Sequence, residues 1–286
     1  MRHASERPDQ IGRFSFLISP FHSQQITGIQ TCLKRQILVT TSLDKSLRVW
    51  QYSTSNTNIM KLVIWHNIRD EVLAVALHTT GNYFVASFYT CIRFFNIFPK
   101  EIEEYHQLKV QGSTELKFNS FGSLLAVQKG NSVLVYNFFT GVLHENYVFT
   151  FHKAHVKSIS WLEDDSGFVS TAADSSIAVW RLPRLMASVP GEKHVNRPVW
   201  TYEAELTRVP KELNPLKGME ERALARVTKA NFTATVPFHI TKEKDKDAKE
   251  KDHTVKIGVF AAGTDGAIHE LQDGKLRTKC DNECIF

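Results

Sequence analysis

Two sets of residues in this 286-residue chain have the types a hydrolase uses. Asp44, with His22 and Thr40 upstream, precedes Trp50 by six residues in SLDKSLRVWQY; Asp174, with His155 and Ser170 upstream, precedes Trp180 by six in AADSSIAVWRL. A hydroxyl, an imidazole and a carboxylate in series can activate a nucleophile for acyl transfer. Repetition argues against that chemistry, because the set occurs twice and each copy stands beside a tryptophan rather than an oxyanion hole. The structural reading is stronger. The aspartate accepts turn N–H groups and meets the histidine, the histidine reaches the hydroxyl, and the hydroxyl accepts the indole N–H. Polar groups packed near an interior need such partners. FAAGTDGAIHEL repeats the phrase a third time, with Asp265 six residues before Leu271.

Other candidate chemistry is sparse. Glu163, Asp164 and Asp165 are adjacent acids in LEDDSG, a phrase that reads as a solvated turn more readily than as an ion site. Cys280 and Cys284 form one pair at a polar tail, without the second pair a zinc site needs. With Cys32 and Cys91 they are expected to be free thiols in a reducing compartment. There is no phosphate-cradling glycine loop, no H-E-x-x-H and no G-x-S-x-G, so neither a cofactor nor a catalytic role is expected. The composition, 42% hydrophobic and 23% charged with a net charge of +5, is that of an ordinary globular protein. The basic residues are not clustered as nucleic-acid binding requires. No apolar run approaches the roughly 18–20 residues that cross a bilayer, and MRHASERPDQIGR lacks the apolar core of a signal peptide.

The elements that position these residues form a repeat. Trp50, Phe95, Tyr136 and Trp180 each close a short apolar run, at spacings of 45, 41 and 44 residues. A period of about 40–45 residues is that of WD-type propeller blades. Gly81, Gly122 and Gly167 stand 14, 14 and 13 residues before their aromatics, between two apolar runs, where a hairpin turn is expected. Each unit reads as an inner strand, a turn, a second strand, a turn carrying the aspartate, a third strand ending on the aromatic, and a fourth strand such as Glu104–Val110 or Glu145–Thr150. Stacking such sheets radially buries both of their faces. The second and third units carry Tyr89 and Gly130 where the aspartate would stand; those blades must rely on packing of Phe84, Phe88, Phe94, Phe95, Leu125, Val133 and Val135.

The fifth unit is stretched. Val199–Ala204 is expected as the outer strand of unit four and Asn231–Ile240 as the inner strand of unit five. Between them, Met219–Lys229 reads as a short surface helix. The run Lys242–Asp252, KEKDKDAKEKD, is too hydrophilic to bury and falls in the hairpin-turn slot. The expected architecture is therefore all-β: a WD40-type β-propeller of about five recognisable blades, an incomplete or open ring with a long charged insertion in the last blade. It divides into an N-terminal tail (1–13), blades one to four (14–182), an inter-blade insertion (183–230), a fifth blade (231–279) with its charged loop at 241–253, and a C-terminal tail (280–286).

The phrases PFHSQQITGIQTCLKRQILVTTSLDKSLRVWQY, EVLAVALHTTGNYFVASF, CIRFFNIF and FVSTAADSSIAVWRL resemble the axonemal WD-repeat family of cilia- and flagella-associated protein fifty-seven, unit by unit from about Phe14 to Leu182 and more faintly over Val259–Leu276. The resemblance covers the first five units of that family's second propeller; Phe14–Ser19 looks like its ring-closing strand. It implies a non-enzymatic scaffold of the ciliary or flagellar axoneme, associated with inner dynein arms on doublet microtubules and supporting motility. The implied partners are inner dynein arm components, a chain that completes the propeller, and tubulin, without nucleic acid or membrane. The alternative is a generic WD40 interaction adaptor of a cytoplasmic or nuclear complex. On either reading Lys45, Arg69, Asp70, Glu71 and Ser175 are expected to be exposed on one propeller face, with Lys242, Lys244 and Lys246 on the charged loop as a further partner surface.

Overall fold

Short β-rich runs bounded by turns set the architecture. In the computed structural model, which describes residues 22–32, 34–53, 60–183, 196–204, 206–209, 226–240 and 256–280, they form five four-stranded antiparallel sheets in chain order. Blade one is β1 (Ile26–Cys32), β2 (Ile37–Ser42), β3 (Ser46–Tyr52) and β4 (Met60–Asn67). Blade two is β5 (Val72–Leu77), β6 (Tyr83–Phe88), β7 (Ile92–Ile97) and β8 (Ile102–Leu108). Blade three is β9 (Leu116–Phe118), β10 (Leu124–Lys129), β11 (Ser132–Asn137) and β12 (Leu143–Thr150). Blade four is β13 (Val156–Trp161), β14 (Gly167–Ala172), β15 (Ser176–Arg181) and β16 (Trp200–Glu203). A hairpin of β17 (Leu206–Val209) and β18 (Arg226–Lys229) precedes blade five, which is β19 (Phe232–Ile240), β20 (Lys256–Gly263), β21 (Ile268–Gln272) and β22 (Lys275–Cys280).

One expectation is corrected here. Arg226–Lys229, read as the end of a helix, is a strand paired antiparallel with Leu206–Val209; Val227 and Thr228 are β-branched and suit a pleated ladder better than a helix. The remainder of that helix, Phe14–Ser19, Lys242–Asp252 and Cys284 lie outside the described residues.

Strand alternation decides the packing. VLAVAL and YFVASF are apolar at odd and even positions alike, so both faces of blade two must be covered. Val75, Phe84, Ala86 and Phe95 pack with Val39, Leu47 and Val49 of blade one, while Ala74, Ala76, Val85 and Phe94 pack with Leu116, Leu125 and Tyr136 of blade three. Blade three meets blade four through Val135 and Phe149 against Ile159, Phe168 and Trp180; blade four meets blade five through Val169 and Val179 against Phe232, Val259 and Leu271. Each interface thus joins the face bearing a closing residue (Phe95, Tyr136, Trp180, Leu271) to the opposite face of the preceding blade. No buried apolar cluster of the described residues joins blade five to blade one.

Two details recur. A register shift falls near the start of the inner strand in blades one, two, four and five, at Ile26/Gly28, Val72/Ala74, Val156/Ser158 and Phe232/Ala234; such bulges bend a strand and increase its twist. The hairpin turns are also tied blade to blade. Arg35 Nη1 donates to the Gly81 carbonyl at 2.9 Å, His78 Nε2 meets the Gly122 carbonyl at 3.0 Å, and the Asp165 carboxylate accepts from Asn119 Nδ2, Ser120 N and Phe121 N at 2.8–2.9 Å. Gly122, with φ of +77°, is required there: a Cβ would lie 2.3 Å from His78 Nε2.

Candidate interaction site

In blade one the structure brings His22, Thr40, Asp44 and Trp50 together. Trp50 Nε1–H donates to Thr40 Oγ1 at 2.9 Å, and Thr40 Oγ1 lies 2.8 Å from His22 Nε2. His22 Nδ1 lies 3.0 Å from Asp44 Oδ2, which also accepts from Ser23 N at 2.9 Å; the other carboxylate oxygen accepts from the Ser46 N–H and hydroxyl at 3.0 and 2.6 Å. A consistent proton assignment has Nδ1–H donating to the carboxylate and Nε2 accepting from the threonine. Burial would raise the Asp44 pKa, but the donors from Ser46, Ser23 and His22 outweigh it and hold the group at about 2. Burial holds His22 below its ordinary value against the opposing pull of Asp44. An ionised carboxylate beside a neutral, fully engaged imidazole is a staple. No oxygen of the set is left free to act as a nucleophile.

Blade four carries the same staple with a different histidine from the one expected. His152, not His155, bridges Ser170 and Ser176, at 2.7 Å on each ring nitrogen. Trp180 Nε1–H donates to Ser170 Oγ at 2.8 Å, and Asp174 accepts from the Ser176 hydroxyl and from Lys153 N. His155 is exposed and contributes its backbone carbonyl to the Ala173 N–H. The spacing carried the signal: His22 precedes Thr40 by 18 residues, as His152 precedes Ser170.

Blade five rewires the theme. Asp265 accepts from His269 Nε2 at 3.0 Å and Lys279 Nζ at 2.8 Å. Ala261 fills the place of the hydroxyl, Leu271 fills that of the tryptophan, and the His269 ring stands edge-on to Phe232. Blades two and three, which lack the aspartate, use staples that sequence reasoning missed. The Ser87 hydroxyl donates to the Ser113 carbonyl. The Gln128 amide accepts from Thr114 N and donates to the Gly130 carbonyl, both at 2.9 Å. Nothing in a lone serine or glutamine within an apolar run marks such a role in advance.

The expected partner surface divides. Lys45, Arg69 and Asp70 are exposed and Glu71 is half-buried. Asp70 is paired with Arg93, and with Arg69, His66 and Glu104 it lines an open groove of about 720 Å³ between blades one and two. Ser175 is not exposed: the start of blade five covers it, and its hydroxyl donates to Asn231 Oδ1 at 2.7 Å. Lys242, Lys244 and Lys246 lie outside the described residues.

The two terminal sheet faces are further candidate surfaces. On blade one, Trp65 is 61% exposed beside Arg48, whose Nε and Nη1 have no hydrogen-bond partner among the described residues. On blade five, Val236 is 64% exposed, next to Phe260 stacked on Phe238.

Comparison with known proteins accords with this geometry. Residues 16–51 and 144–181 match the WD domain, G-beta repeat family. The chain is 33% identical over 166 residues to cilia- and flagella-associated protein 57 A of Tetrahymena thermophila, covering 58% of this chain and 12% of that protein. It is 32% identical over 173 residues to cilia- and flagella-associated protein 57 of Mus musculus, covering 60% of this chain and 13% of that protein. The chain thus spans about an eighth of the length of these curated relatives. Among solved structures, the Cps50 (Swd1) β-propeller domain of Myceliophteria thermophila superposes with a TM-score of 0.61 at 13% identity, over 92% of this chain and 74% of that one. The fold is that of a WD40-type β-propeller, with five blades described.

Proposed function

We propose that this chain is a non-catalytic WD-repeat scaffold of the cilium or flagellum, built into the axoneme, associated with inner dynein arms on doublet microtubules and supporting motility. The observation that carries this reading is the similarity to cilia- and flagella-associated protein 57 in two organisms, at 33% and 32% identity over more than half of the chain. The site geometry supports the non-catalytic part. Among the described residues, those arranged like a hydrolase triad are consumed in linking turn, strand and tryptophan, and the arrangement is repeated in blades one and four. Propellers present loops and sheet edges to other proteins, and fold alone does not select among their roles.

The partners belong to the same proposal. The terminal faces of blades one and five carry exposed apolar side chains, Trp65 on one and Val236 and Phe260 on the other, and each is of a kind that every internal blade buries against a neighbour. Further sheets of matching shape, from this or another polypeptide, would complete the ring there; inner dynein arm components and tubulin are the axonemal neighbours proposed for the remaining surface. The test is localisation and phenotype. A tagged protein should line the flagellum along its length, and its deletion should lower beat frequency while leaving flagellar length intact. A nuclear or diffuse cytoplasmic signal with normal beating would overturn the reading in favour of a generic adaptor.

A further inference from the structure

Phe121 and Phe139 are exposed by 77% and 73%, on two turns at the same end of blade three. The turns corresponding to that of Phe121 carry polar residues in other blades, Lys34–Gln36 in blade one, Thr79–Asn82 in blade two and Glu163–Ser166 in blade four, while the blade-two turn corresponding to that of Phe139 carries Phe98, 40% exposed, so that blades two and three together present three aromatic side chains at this end. Side chains so exposed contribute little to folding, so burial within this chain does not account for them.

Both turns are held rigid. The Phe121 N–H donates to Asp165 Oδ2 at 2.9 Å, and Asp165 also takes Ser120 N and Asn119 Nδ2, anchoring the turn to blade four. The Phe139 and Thr140 N–H groups donate to Asn137 Oδ1 at 3.0 and 3.2 Å. The Phe139 ring stands on an aromatic floor, 5.4 Å from Phe138 and 6.4 Å from His78. His78 in turn meets the carbonyl of Gly122, the residue after Phe121. Exposed aromatic side chains carried on turns already held in place bind partners at lower entropic cost than those on free loops.

The flanks are acidic. The segments 98–104 (FPKEIEE) and 162–166 (LEDDS), on the neighbouring blades two and four, hold six acids against one lysine, in a chain whose net charge is +5; of the six, Glu104 faces the groove toward blade one and Asp165 is taken up by the Phe121 turn. Glu101, Glu103 and Glu163 are exposed.

We propose that this end of blades two to four docks a basic amphipathic protein segment, whose apolar side chains seat against Phe121 and Phe139 and whose lysines or arginines meet Glu101, Glu103 and Glu163. The proposal stands apart from the axonemal assignment, since it rests on exposure, turn geometry and charge alone. It also sets this face apart from any contact with acidic protein tails, which these glutamates would repel.

The test uses the full chain and two synthetic amphipathic peptides, one of leucine and lysine and one of leucine and glutamate, titrated by fluorescence anisotropy. The leucine–lysine peptide should bind and the leucine–glutamate peptide should not. Phe121→Ser with Phe139→Ser should weaken binding by about tenfold or more, and Glu101→Gln with Glu103→Gln and Glu163→Gln should weaken it and flatten its salt dependence. Lys275→Ser, an exposed change on β22 of blade five, should leave it unaltered. The thermal midpoint of each variant, measured alongside, separates lost docking from lost fold. Equal binding of both peptides, absence of binding, or an unchanged affinity in the folded phenylalanine variant would overturn the proposal. Concentration-dependent self-association abolished by Phe139→Ser would overturn it by assigning the patch to a second copy.

Discussion

His152 joins Trp180 to Asp174 through two serine hydroxyls, and single substitutions should be felt most along such a chain of polar groups. His152→Ala strands the Ser170 and Ser176 hydroxyls in a buried setting, a loss of about 1–3 kcal/mol. His155→Ala removes only an exposed ring and should stay within about 0.5 kcal/mol. Urea unfolding of the two variants checks the pair; equal losses would contradict the assignment. The same groups predict an acid-labile fold. His22, His78 and His152 are held below the ordinary histidine value by burial, so the folded chain keeps them neutral while the unfolded chain takes up protons below about pH 6.5. Stability should therefore fall as pH drops from roughly 7 to 5. Asp44, held at about 2 against an ordinary 3.8, adds a further loss as pH falls through that lower window. Thermal midpoints across this range read the effect, and His152→Asn should flatten its upper part. At this scale the sequence was half legible. Asp44, Thr40 and Trp50 could be read from one phrase. The blade-four histidine needed the 18-residue spacing carried over from blade one, because His155 lies nearer in sequence yet faces solvent. The burial of Ser175 depends on where blade five begins, which no local pattern encodes.

The blades themselves were legible because a period of about 40–45 residues recurs whatever the side chains within it; of the three glycines expected in hairpin turns, Gly81 and Gly122 take the left-handed position, whereas in blade four Asp165 takes it and Gly167 opens β14. β16 and β19 fall within the stretches expected as the outer strand of unit four and the inner strand of unit five, Val199–Ala204 and Asn231–Ile240. The strand at Arg226–Lys229 was not legible, since MEERALAR has strong helix formers and only pairing with Leu206–Val209 decides its end. A Cβ at Gly167 would sit 1.9 Å from the Trp180 carbonyl oxygen, a backbone atom that cannot give way. Gly167→Ala should cost about 3 kcal/mol or more. Gly130→Ala faces open space with φ of +60° and should cost about 1–2 kcal/mol of backbone strain alone. Comparison of their unfolding midpoints distinguishes a closely packed second strand from a merely left-handed turn.

For the whole molecule, four blade interfaces obey one rule and two terminal faces have no neighbouring blade among the described residues. Exposed apolar sheet faces and strand edges recruit partners or aggregate. The chain on its own should thus self-associate with rising concentration, and Val236→Lys with Phe260→Lys should suppress this in sedimentation velocity runs. A monomer that stays monomeric without those changes would show that the faces need no cover. The five blades of the described residues could be anticipated by counting phrases against the period, because each blade leaves its own signature. What covers the two faces leaves none, since flat apolar sheets accept any complementary sheet.

The proposed place of this protein in the axoneme is tested by extraction of isolated flagella. Detergent should strip membrane and matrix while the tagged protein stays with the axoneme, and a high-salt wash should leave it there, as expected of a scaffold held by buried sheet-to-sheet contacts rather than surface charge. Release with the detergent-soluble matrix, or recovery in the cell-body fraction, would contradict the account.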